Sequence, residues 1–84
     1  MLKRPALQAL IEAGAVRKMR LVAQGASFHA EVETASGVQV AATGRGHPRQ
    51  WRSLDSAARW ARDLGMGEVN VNLSQWTPAQ RDLC

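Results

Sequence analysis

Apolar residues recur along this chain at two periods, and the places where the period changes divide it into elements. Between Ser53 and Leu64 (SLDSAARWARDL), Leu54, Ala57, Ala58, Ala61 and Leu64 return at the helical spacing, with Arg52, Asp55, Arg59, Arg62 and Asp63 mostly opposite. Ser53 is a side-chain N-cap and Gly65 a C-terminal stop, so the pattern predicts a central amphipathic helix with a start, an end and a buried side. Nearer the N-terminus, Pro5 suits a first helical turn, and Leu7, Leu10 and Ile11 form a short apolar patch that Gly14 ends. A helix of about two turns does not hold itself in water. This one must dock on the body of the domain or on another subunit.

From Met19 the period drops to that of a strand. Leu21 to Ala23 begin a first strand, Gly25 reads as a bulge or break, and Phe28, Ala30 and Val32 alternate with His29, Glu31 and Glu33. Thr34 to Gly37 reads as a turn, after which Val38, Val40 and Ala42 alternate with Gln39, Ala41 and Thr43. The two runs make a hairpin with one apolar face. Gly44 to Arg52 (GRGHPRQWR) is a connecting loop. Val69, Val71 and Leu73 alternate with Asn70, Asn72 and Ser74 as a third strand. Thr77, Pro78 and Gln80 stand where an N-cap, a first helical position and a capping-box glutamine belong, so a short helical fragment is expected there, with Trp76 pinning the segment down.

The predicted architecture is one α+β domain spanning residues 1–84, with residues 1–4 and 80–84 frayed. It has a short N-terminal helix and then ββαβ, a three-stranded sheet with the central helix packed on one face. The last strand runs parallel to the second and antiparallel to the first. Two sheet orders fit: second-first-third, wholly antiparallel, or first-second-third with a right-handed crossover. The former is preferred, because an antiparallel sheet can leave one face wet, as the alternation of all three strands requires.

Composition sharpens this in one respect. The chain has 84 residues with three Trp, one Phe and no Tyr, so Trp51, Trp60, Trp76 and Phe28 must supply much of its large apolar surface. A domain this short buries only about 60 to 65% of the surface its unfolded chain exposes, which favours a protein partner or self-association. Hydrophobic residues at 45% argue against general disorder. The lone Cys84 cannot close an internal disulfide and fits a reducing compartment. No apolar run of roughly 7 to 15 residues opens the chain as in a signal peptide, and none approaches the ~18 of a membrane helix. A cytoplasmic protein with no membrane partner is expected.

Eleven Lys and Arg against seven Asp and Glu leave a net charge of +4, and placement decides what that means. Arg45, Arg49 and Arg52, with His47 between them and Trp51 beside them, put several donors and a ring in one short loop. Guanidinium forks suit phosphates, and an exposed indole suits a base or an apolar pocket. Arg59 and Arg62 on the outer helix face extend this patch for nucleic acid or a protein partner, though Asp55 and Asp63 partly cancel it. Alternatively Trp51 folds inward under the helix start and the loop is merely solvated. Trp60, at the margin of the apolar stripe, is either a core residue or part of an interface with Leu7, Leu10, Ile11 and Trp76, since contact surfaces favour Trp and Arg. Lys3, Arg4, Arg17, Lys18 and Arg20 form a second basic cluster around the first helix. The wet sheet face, with His29, Glu31, Glu33, Gln39, Asn70, Asn72 and Ser74, is neutral to acidic and lacks the aromatic pair on which RNA-binding sheets stack bases.

Catalytic chemistry is not foreshadowed. His29, Glu31 and Glu33 line one strand face and are ligand types, but no cysteine or second histidine is near in sequence, so no metal is assigned. GRGHP lacks the lysine and hydroxyl of a phosphate-binding loop. No recognised motif gives Ser27, Ser53, Ser56 or Ser74 a histidine base. A non-enzyme without a cofactor is expected.

The run LQALIEAGAVR (Leu7 to Arg17), the helical phrase SLDSAARWARDLG (Ser53 to Gly65) and the alternating VNVNL (Val69 to Leu73) resemble the ParC-type partition-associated small proteins of plasmids and integrative conjugative elements. Leu54, Asp55, Ala58, Arg62, Asp63, Leu64 and Gly65 match the helical phrase, whereas the hairpin matches nothing. The resemblance implies a non-catalytic accessory of a mobile genetic element, acting through protein contact in partition or maintenance, and implies no site residues. Direct nucleic-acid binding through the 44–52 loop is the alternative, and a small structural or dimerisation domain is a third.

Overall fold

A computed structural model of the chain describes residues 2–77. Its elements in order are β1 (Leu2–Lys3), α1 (Arg4–Glu12), β2 (Val16–Gln24), β3 (Ser27–Thr34), β4 (Gly37–Ala42), β5 (Gln50–Trp51), α2 (Leu54–Asp63) and β6 (Asn70–Asn72). One six-stranded mixed sheet runs β1-β4-β3-β2-β6, with β5 also paired to β3. This corrects the expected three-stranded ββαβ arrangement.

Both helices follow from their sequences. Ser53 is extended and its Oγ accepts from the Ser56 N–H at 3.1 Å, Asp55 sits in the positive first turn, and Gly65 takes φ +106° just past the end. The buried face of α2 is Ala57, Trp60, Ala61 and Leu64, while Leu54 is half-buried and Ala58 exposed. At about 100° per residue, Ala58 lies too far round from this centre, and Trp60 takes its place in the stripe. In α1, Pro5 occupies the first turn and Gly14 follows the end at φ +71°, with Leu7 turned into the core. Leu2 and Lys3 form β1, and Arg4 begins α1.

The expected first strand is two strands. Gly25 and Ala26 form a two-residue hairpin loop with Gln24 opposite Ser27, and Gly25 takes φ +65°. Glycine first and an ordinary residue second suits the turn whose twist matches the flanking strands. The bulge of this hairpin falls at Arg17, between the paired Val16 and Lys18. Because β2 is inserted, β6 does not lie beside β3: it runs parallel to β2, with Arg20 opposite Asn70 and Val22 opposite Asn72. The preferred all-antiparallel order is therefore corrected as well.

The second hairpin does not have the single apolar face its alternation suggests. Only Ala35 and Ser36 are unpaired at the turn, where Thr34 Oγ accepts from the Ser36 N–H at 3.1 Å and donates to the Gly37 carbonyl at 3.2 Å. That register sets Val38 opposite Glu33 and Val40 opposite Glu31, so both valines share the carboxylates' face, while Gln39 lies opposite Val32. Shifting a pairing by one residue exchanges the two faces of a strand. The core proper lies on the other face: Met19 and Leu21 of β2, Ala30 and Val32 of β3 and Ala41 of β4 meet Leu7, Trp51, Trp60, Ala61 and Leu64. Each fully buried leucine contributes about 1.5 to 3 kcal/mol there. The helical fragment expected from Pro78 lies outside the described residues.

Candidate nucleic-acid interface

Residues 43–49 leave the edge of β3 and come back to it. β4 pairs with the Glu31–Thr34 end of β3, and β5 pairs with its other end, Trp51 opposite Phe28 and Gln50 opposite His29. The excursion between them is closed by the Thr43 N–H donating to the His47 carbonyl at 2.7 Å, by Gly46 donating to the Thr43 carbonyl at 2.9 Å, and by Arg49 donating to the Ala41 carbonyl at 3.0 Å. Thr43 Oγ also accepts from the backbone N–H groups of Arg45 and His47. The loop of the sequence pattern is thus a closed turn that presents Arg45 and His47 at its tip and Arg49 at its base.

Trp51 is turned inward. It is 8% exposed, its ring lies 4.8 Å from that of Trp60 at 52°, and the Arg49 guanidinium stands 5.4 Å from its centroid. A cation over an indole face is an attractive pair, so the ring anchors Arg49 and is not offered to a base. Arg45, His47, Arg49 and Arg52 are exposed, and among the described residues none of them has an ion-pair partner. Arg59 is exposed but paired with Asp55 at 3.1 Å, while Arg62 is exposed in the last turn of α2.

Strand pairing divides the second basic cluster. β1 runs parallel to β4 with Lys3 opposite Ala42, and Ala42 also bridges Pro48, so Lys3 and then Arg4 stand at the base of the arginine excursion. Arg17 and Lys18 are instead at the opposite side of the sheet, lining an open cleft of about 410 Å³ with Glu68 across it. Arg20 is held on the open face, its two terminal nitrogens 3.4 Å from Glu31 and 3.3 Å from Glu33. Nothing in the local sequence marks Lys3 and Arg4 as companions of the 43–49 excursion; only the β1–β4 pairing brings them to its base.

The residues considered for an interface separate in the same way. Leu7 and Trp60 (7% exposed) are inside the chain's own core, the body-docking and core alternatives of the two left open for each, and Leu10 and Ile11 are half-buried. Trp76 remains exposed, its ring 6.2 Å from Phe28. On the open face His29 hydrogen-bonds Glu31 at 3.1 Å. That bond, ahead of the charges of His29 and Arg20, holds the Glu31 carboxyl below its ordinary pKa despite some desolvation. Among the described residues no group of three His, Cys, Asp or Glu side chains is placed to hold a metal, and no helix is long and apolar enough to cross a membrane. No family model, curated protein or solved structure matches the chain. The likeness to partition-associated proteins rests on the quoted phrases alone.

Proposed function

We propose that this chain is a non-catalytic contact module whose basic rim, formed by Lys3, Arg4, Arg45, Arg49 and Arg52, binds the phosphate backbone of nucleic acid without reading its sequence. The convergence of two basic segments, distant in sequence, on one sheet edge carries this reading. Guanidinium groups free of carboxylate partners meet phosphates well, and a buried Trp51 leaves base stacking out of the interaction. The module would serve as an accessory in maintenance of a mobile genetic element, a role supported by the sequence phrases. Its partners in that role are nucleic acid at the rim and protein elsewhere on the surface.

Titration of labelled duplex and single-stranded DNA at low and physiological salt tests the rim. Wild type should bind duplex at low salt, weaken steeply as salt rises and show no preference for single strands. Arg45→Ala, Arg49→Ala and Arg52→Ala together should lower affinity about tenfold or more and reduce the log-log salt slope by roughly 2 to 3, since each phosphate contact contributes about 0.9. Equal affinities for folded wild type and triple variant remove the rim from the mechanism, and no binding at low salt removes direct nucleic-acid contact altogether.

A further inference from the structure

The edge strand β6 carries an inference that does not depend on the rim. Among the described residues, three of the four exposed large hydrophobics, Val71 (42%), Leu73 (45%) and Trp76 (42%), fall in the stretch from Val69 to Thr77, which contains no charged residue. β6 pairs with β2 on one side, and among the described residues its other side ends the sheet. Val71 is opposite Leu21, on the helix side, but α2 lies over β2, β3 and β5 and leaves it uncovered.

We propose that this edge is a self-association surface on which β6 pairs antiparallel with β6 of a second copy, about a two-fold axis through Val71. The segment is its own complement in that register. Val71 meets Val71, and Asn70 meets Asn72 of the second copy, amide against amide, each with donors and an acceptor to satisfy the other. A charged partner would find no counter-charge here, whereas a chain of net charge +4 meets least self-repulsion along an uncharged strip. Antiparallel pairing also sets Arg17 and Lys18 of the two copies at opposite ends of the junction. The other edge of the sheet is guarded by Lys3, Arg4 and the arginine excursion, a charged arrangement that disfavours strand addition. The paired strand has three residues, so the dimer is weak and concentration-dependent, as small contact areas are. In it the two basic rims stand at the far ends of one continuous sheet.

Sedimentation equilibrium from micromolar to about millimolar protein should show wild type passing from monomer to dimer, and Val71→Lys, with unchanged circular dichroism, should remain monomeric. Register is read separately in a Cys84→Ser background. Directly opposite residues have Cβ atoms about 4.5 to 5.5 Å apart, so mild oxidation should cross-link Val71→Cys quickly, while Asn70→Cys, which faces a different residue across the axis, should cross-link far more slowly. A wild type that stays monomeric throughout overturns the proposal. So does a Val71→Lys variant that still dimerises, or equal cross-linking at the two positions.

Discussion

The two edges of the sheet meet the same difficulty with opposite chemistry. Any edge strand shows unpaired backbone groups that invite another strand. At the β1, β4 and β5 edge the chain breaks the strand around residues 43–49 and surrounds it with Lys3, Arg4, Arg45, Arg49 and Arg52. At β6 there is no charge at all, only a three-residue length and two asparagines. The net charge of +4 is therefore unevenly placed: one edge gathers exposed cations around a broken strand, while the paired residues of the other carry none, and the polyanion and second-copy proposals rest on that difference.

The largest test breaks the support the two edges share. Both hang from the β2–β3 centre beneath α2, where Trp60 packs on Trp51, the ring that anchors the basic excursion. Trp60→Ala should cost about 3 to 5 kcal/mol of the about 5 to 15 that native domains possess. Urea unfolding should show a large fall in midpoint or no folded baseline, and the rim's affinity should disappear with it. A small shift would mean that the excursion is held by its own turn alone.

A smaller effect concerns the open face that joins the edges. Glu31 is tied to His29 and Arg20, and its depressed pKa means that it stabilises the fold while ionised. That contribution is present above the ordinary value of 4.5 and is lost as pH falls through the lower folded value. Glu31→Gln should therefore be less stable than wild type near neutrality, with the two curves converging as pH drops below 4.5. A gap that stays constant across this range would show that packing, not ionisation, accounts for the loss.

The smallest change sharpens the contrast without touching the core. Asp55 and Arg59 form an exposed pair within α2 at 3.1 Å. Asp55→Ala should alter stability by no more than about 1 kcal/mol, combining a surface ion pair with a first-turn carboxylate, and should modestly raise polyanion affinity by freeing Arg59. Chemical denaturation and the same DNA titration report both.

Much of the local structure was legible in the residues. The caps and stripe of α2, the proline start of α1 and the alternating runs all follow from contacts within a few positions. The candidate arginines were visible too, because a glycine-rich stretch with a proline has to leave the sheet. Their companions were not. Lys3 precedes Ala42 by most of the hairpin region, and no local pattern reports a parallel pairing between them. Gly25 was ambiguous because a lone glycine between two alternating runs suits a bulge and a turn equally well.

The sequence by itself determined both helices, the longer extended runs and where the positive charge is concentrated, since capping, periodicity and turn chemistry act over a few residues, whereas the two-residue strands β1 and β5 are too short to leave a pattern. Tertiary structure decided which way those segments face. A loop of Ala35 and Ser36 alone placed Val38 and Val40 beside Glu33 and Glu31, the pairing of β5 with β3 drew Trp51 into the core, and the insertion of β2 put β6 at an edge. Face and edge are properties of a strand's partners, and strand partners are chosen by the competition of all strands for one buried layer.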